Sequence, residues 1–174
     1  MTTKQRKIYY VTILILGLFS MAWQVTLFRN TIIDVSILIG IIIVVGIITF
    51  LVDFKNYGKT YKKKGIGLYF YSGMQYILSY GFIACSIFIM TNFYMANSEP
   101  IKETYEIVKR SSLPGRKYHR DERKPTFDIN YNGKIKELVF PHKYYEKMEF
   151  YTKVELEVRK GYFGFDILEN KKLN

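Results

Sequence analysis

The side chains able to do chemistry in this sequence are few and scattered. Histidines stand only at positions 119 and 142, with no HExxH pair and no further ligand at metal-binding spacing, so both read as surface residues. His119-Arg120-Asp121 copies a fragment of a kinase catalytic loop, but no glycine-rich loop, strand lysine or D-F-G accompanies it. The single cysteine, Cys85, falls inside an apolar run, which excludes a disulfide within one chain and any metal site built on paired thiolates. Asp34 and Asp53 bracket a second apolar run. A carboxylate inside a membrane span is a functional group by default, whereas one at its boundary marks a solvated end, and both are read as boundary residues. No nucleophile elbow, phosphate loop or convergent carboxylate pair is present. The sequence therefore predicts a protein that is not an enzyme, with no catalytic residue, no cofactor and no metal.

The elements that must position any site are unusual. Ile8–Phe28, Val35–Val52 and Gly65–Ser98 carry no charged residue at all. Crossing a hydrocarbon slab of about 30 Å takes about 20 apolar helical residues, and backbone groups inside lipid must bond within their own segment. Three transmembrane helices over residues 1–98 are the expectation. The first comes after a basic tip, Lys4-Gln5-Arg6-Lys7. A cleaved signal peptide ending near Ser20-Met21-Ala22 is the rival reading, but the apolar character continues through Trp23, Val25, Leu27 and Phe28, which favours a retained helix. The third stretch, 34 residues from 65 to 98, exceeds what a bilayer needs. Its ring-rich start, Tyr69 to Gly73, predicts an interfacial turn or short helix, with the span proper at Met74–Ala96.

Charge sets the expected orientation. Residues 1–98 hold nine basic residues against two acids, and 99–174 hold 17 against 13, so the balance of +11 divides as +7 and +4. Positive charge beside membrane spans is explained by topology and anionic lipid, and nucleic acid is not an expected partner. The basic tip and a loop over 53–65, with Lys55, Lys59, Lys62, Lys63 and Lys64, flank a turn that carries only Arg29. The N-terminus and lysine loop are thus expected on the cytoplasmic side, with the C-terminal region outside the cell membrane. Those five lysines are also candidates for binding lipid headgroups, membrane lipid being an expected partner.

Along the third stretch Ser72, Gln75, Ser79, Phe82 and Ser86 recur at helical spacing. Ser36 and Gly40 form a small-xxx-small pair on the second span. Such faces mark helix–helix contacts in lipid; a polar pocket between helices is the sharper alternative.

Beyond Ser98-Glu99-Pro100 the pattern turns to alternation. Strands are predicted at 105–109, 126–131, 134–140, 154–159 and 162–168, with Asn132-Gly133 as a hairpin turn, a basic loop at 115–124 and a helical turn after Pro141. Ile135 and Leu138 cannot share a face without a bulge, and Gly164 inside the last strand allows a bulge or tight curvature. The predicted fold class is three transmembrane helices followed by a small β domain over 99–174, a five-stranded antiparallel roll or barrel. The closing pattern E-V-R-K-G-Y-F-G-F-D-I-L is similar to those of many small bacterial membrane proteins. The functional expectation is a multi-pass protein of a bacterial cytoplasmic membrane that presents the β domain to a partner protein, as an accessory or protective subunit. The alternative is lipid or small-molecule handling along the third helix.

Overall fold

A computed structural model describes residues 1–96, 99–115, 117 and 119–174. Ser98 at the end of the third stretch, and Arg116 and Tyr118 of the basic loop, lie outside the described residues. The chain divides into two units, Met1–Ala96 and Asn97–Asn174.

In the first unit, α1 spans Thr3–Arg29 and α2 Val35–Tyr61. The third rod runs as α3, Gly65–Tyr76, a π-turn at Ile77–Gly81, and α4, Phe82–Tyr94. Among the described residues these make three helices long and apolar enough to cross a membrane. Thr2 starts α1 with a capping box, its hydroxyl accepting from Gln5 N–H while the Gln5 side chain accepts from Thr2 N–H.

The helices correct two expectations. The lysine segment 53–65 is not a loop: α2 continues to Tyr61, because nothing in D-F-K-N-Y-G-K-T-Y breaks a helix once it leaves the apolar run. Only Lys62–Lys64 connect the rods, with Lys62 left-handed at φ 52° and Gly65 at φ 59°. Residues 65–73 are not a separate interfacial element either, but the first turns of a rod that continues to Tyr94.

The π-turn explains how one rod serves two neighbours. An i→i+5 turn carries an extra residue and changes the rotational phase of the helix beyond it. Accordingly α3 packs mainly on α2, and α4 mainly on α1. Three glycines let the backbones meet at this turn. A Cβ on Gly17 would lie 2.6 Å from the Ser79 Cα, one on Gly46 2.8 Å from Ile77 Cγ1, and one on Gly81 2.6 Å from the Ile42 carbonyl oxygen.

The second unit is a five-stranded antiparallel sheet curled into a half-barrel. Its strands are β1 Ile101–Leu113, β2 Lys124–Tyr131, β3 Lys134–Val139, β4 Lys153–Lys160 and β5 Asp166–Leu173, in spatial order β3-β2-β1-β4-β5. Asn132 and Gly133, at φ 49° and 85°, make the β2–β3 turn. Phe127, Ile129, Leu138, Val154, Leu156 and Leu168 are fully buried. The curl is visible in one bond: Tyr131 Oη on β2 donates to Asp166 Oδ2 on β5 at 2.8 Å. Those strands lie three places apart in the sheet, a separation of about 14 Å if it were flat.

No bulge interrupts β2–β3, where Ile135 faces out and Leu138 in. The bulges lie instead on β1 between Ile107 and Lys109, and on β5 between Glu169 and Lys172, opposite Glu155–Glu157 of β4. The last strand is also shifted from expectation. Residues 162–165 form a turn closed by Gly161 N–H to Phe165 O at 3.0 Å and Gly164 N–H to Gly161 O at 2.8 Å, with Gly164 at φ 84°; pairing begins only at Asp166. A 3₁₀ turn at His142–Tyr144 comes directly after Pro141.

Candidate functional site

The most developed polar site lies in the helical unit, where three helices converge on one carboxylate. Tyr10 of α1 and Tyr76 of α3 donate to Asp53 Oδ2 at 2.7 and 2.8 Å. Asn56, one turn along α2, donates to Asp53 Oδ1 at 2.7 Å, and Arg6 Nη1 donates to Asn56 Oδ1 at 3.4 Å. Gln75 Nε2 completes the α1–α3 link by donating to the Tyr10 carbonyl at 2.8 Å. These bonds, made by side chains of three helices to one carboxyl group and its neighbour, tie α1, α2 and α3 at one level. Around it pack Tyr57, Tyr61, Phe50 and Tyr80. A cleft of about 360 Å³ beside the clasp is lined by Tyr9, Ile48, Thr49, Val52, Asp53, Tyr76 and Tyr80. Tyr9 and Tyr80 share a hydrogen bond across it.

By sequence alone Asp53 reads as a boundary marker. The available signal is Asn56 at i+3 from Asp53; nothing in the sequence says which tyrosines reach them.

The helical face read from the sequence is turned inward. Ser72, Gln75, Ser79, Phe82 and Ser86 are all buried. Ser72 and Ser79 bond back to the Leu68 and Gln75 carbonyls, and Ser86 Oγ donates to Gln24 Oε1 at 3.1 Å. Gln24 Nε2 in turn donates to Cys85 Sγ at 3.0 Å. These groups form a seam between helices and are not among the residues lining the cleft; Gln75 braces Tyr10, which bonds Asp53 at the edge of the cleft. Ser36 and Gly40 are not brought into the seam. Both are exposed, and a Cβ on Gly40 would meet nothing within 4 Å. The close approach anticipated at that pair is made by Gly17, Gly46 and Gly81.

All five lysine candidates come together. Lys55, Lys59, Lys62, Lys63 and Lys64 line one hollow of about 720 Å³ with Gly58 and Leu68. Lys55 and Lys59 reach it from the last turns of α2, and the other three from the connecting turn. Lys63 Nζ also lies 4.4 Å from the centroid of the Tyr71 ring.

In the sheet unit the histidines are engaged locally. His119 Nδ1 is 3.3 Å from Glu122, and His142 Nδ1 is 2.8 Å from the Arg123 carbonyl. Among the described residues no group of three or more potential ligands could hold a metal. A polar set lies within the curl: Tyr131 bonds Asp166, Lys160 pairs with Asp166 at 2.7 Å, and Tyr105 bonds Glu103. Burial first, then these carboxylates, push both phenols above their ordinary range. Lys136 is pushed down to about 8, by burial and then by the like charge of Lys171. The most exposed rings stand elsewhere, with Tyr162 at 62% and Phe163 at 45% on the β4–β5 turn and Phe150 at 80% before β4.

No family model, curated protein or solved structure matches this chain.

Proposed function

We propose that this chain is a non-enzymatic, multi-pass protein of a bacterial cytoplasmic membrane that holds a small β module out to a partner protein. The observation that carries the reading is the aromatic turn of the β unit. Tyr162 and Phe163 meet edge to face at 5.1 Å, and the turn beneath them is closed by two backbone bonds. Exposed rings on a fixed backbone lose little freedom on binding and are the residue type that dominates protein interfaces.

The proposed orientation puts the N-terminus and lysine turn in the cytoplasm and the β unit outside. Its support is that Arg6, Lys7 and the five lysines gather at one end of the bundle, the end where Tyr10, Asp53 and Tyr76 meet. The test is cross-linking in intact cells, then purification in mild detergent. A stoichiometric partner is expected with the native chain and should be lost with Tyr162→Ser/Phe163→Ser. Recovery of the bare native chain after cross-linking contradicts the reading.

A second reading, handling of a lipid or small molecule within the helical unit, is favoured by the cleft beside Asp53. It moves the candidate residues from Gln75 and Ser79 to Thr49 and Tyr80. Thr49→Leu/Tyr80→Leu should then abolish the phenotype at unchanged membrane abundance, and retained activity would remove this reading.

A further inference from the structure

We infer that the lysine hollow is a formed binding site for a phosphate group, whether on a lipid headgroup or free in solution, and not a diffuse band of positive charge. Four features converge there. Five lysines line a single hollow of about 720 Å³, and no carboxylate is among its lining residues. The amino end of α3 opens at its edge: Lys64 is the N-cap, and its side chain makes no capping hydrogen bond. Uncapped amides and the helix dipole both favour an anion.

The turn that carries the lysines is also built to hold its shape. Lys63 N–H bonds the Gly58 carbonyl at 3.1 Å. Leu68 packs so closely on Gly58 that a Cβ there would lie 2.9 Å from its methyl group. Lys62 and Gly65 occupy left-handed conformations on either side of the turn. Finally, α3, which starts at the edge of the hollow, exposes apolar side chains, with Ile66 at 89% and Phe70 at 63% exposure. An amphiphile whose phosphate enters among the lysines would find a surface for its acyl chains along α3. A soluble phosphate would use the lysines and amides alone.

This site belongs to the helical unit, so its occupancy does not depend on what the β unit binds. The test uses the full chain in neutral detergent, where orientation in a bilayer plays no part. Phosphatidylglycerol is titrated with phosphatidylcholine as the uncharged comparison, and retained lipid is read by native mass spectrometry. The native chain should keep phosphatidylglycerol in preference to phosphatidylcholine. Lys63→Gln/Lys64→Gln should weaken that retention about tenfold, and Lys4→Gln/Lys7→Gln, which removes the same charge from exposed positions on α1, less than about twofold. Inorganic phosphate is then added as competitor. Failure to displace the lipid assigns the site to a headgroup, and displacement at equal concentration assigns it to soluble phosphate; either supports a phosphate site. Equal losses from the two double variants, or no preference for the anionic lipid, would overturn it.

Discussion

The two units of this chain are packed inside out with respect to one another. The helical unit buries Gln24, Thr31, Ser72, Gln75, Ser79, Ser86 and Asn92, while Phe19, Leu51 and Val52 stand exposed at 70%, 63% and 79%. The sheet unit buries Phe127, Ile129, Leu138, Leu156 and Leu168 and shows lysine, arginine and glutamate. One chain obeys opposite rules because its two parts answer to different solvents. In lipid, apolar side chains gain nothing by meeting each other, so close backbones and hydrogen bonds hold helices together. In water, removal of apolar area dominates.

That contrast can be broken most forcefully in the sheet. Leu156→Asn places an amide in a fully apolar core and should cost about 4 kcal/mol, enough to lose the β unit's thermal transition while the helices stay inserted. Circular dichroism of the full chain in detergent would register it; survival of the sheet signal would mean the core is not what holds the unit. Next, Gly17→Leu should destabilise the helical unit by about 3 kcal/mol, because the new side chain meets the Leu78 and Ser79 backbone. Gly40→Leu, on the open face of α2, should change its melting by no more than about 0.5 kcal/mol. Equal effects would show that the π-turn contact is not the crossing point.

A smaller effect sharpens the comparison from the polar side. Gln24→Leu removes two seam bonds, to Cys85 and Ser86, and should cost about 1 kcal/mol, since interhelical bonds in membranes average well below one each. The smallest effect is a pH dependence. Lys136 is depressed to about 8 in the fold but titrates near 10.4 when unfolded, so between those values the unfolded chain binds more protons. Stability of the β unit should therefore rise from pH 8 towards 10 by about 1 kcal/mol, less than the full shift implies because the half-buried lysine is partly screened by solvent. Above about pH 10 the raised phenols of Tyr105 and Tyr131 reverse the slope, because the unfolded chain then ionises first. Lys136→Met should flatten the rise; an unchanged profile would assign it to other groups.

Legibility in the sequence divides the same way. The spans declare themselves through an absence of charge, and the Asn132-Gly133 hairpin through backbone chemistry local to two residues. The inward face Ser72–Ser86 is readable because helical periodicity is a property of one element. The Asp53 clasp is not, because residues 10, 53 and 76 are joined only by how three helices cross. The glycine contacts are hidden for the same reason: Gly40 and Gly46 look alike in sequence, and only Gly46 meets a neighbour. The last strand is misplaced by sequence pattern because Tyr162-Phe163 has strand composition while its backbone turns at Gly161 and Gly164.

The proposal tested most directly is the orientation, with the lysine turn in the cytoplasm and the β unit outside it. With Cys85→Ala removing the one native thiol, a cysteine is introduced by Glu149→Cys in the β unit or by Lys62→Cys in the turn, and intact cells are treated with a membrane-impermeant maleimide. Labelling of the first is expected, and none of the second until the cells are opened. The reverse pattern, or labelling of both in sealed cells, would contradict the proposal.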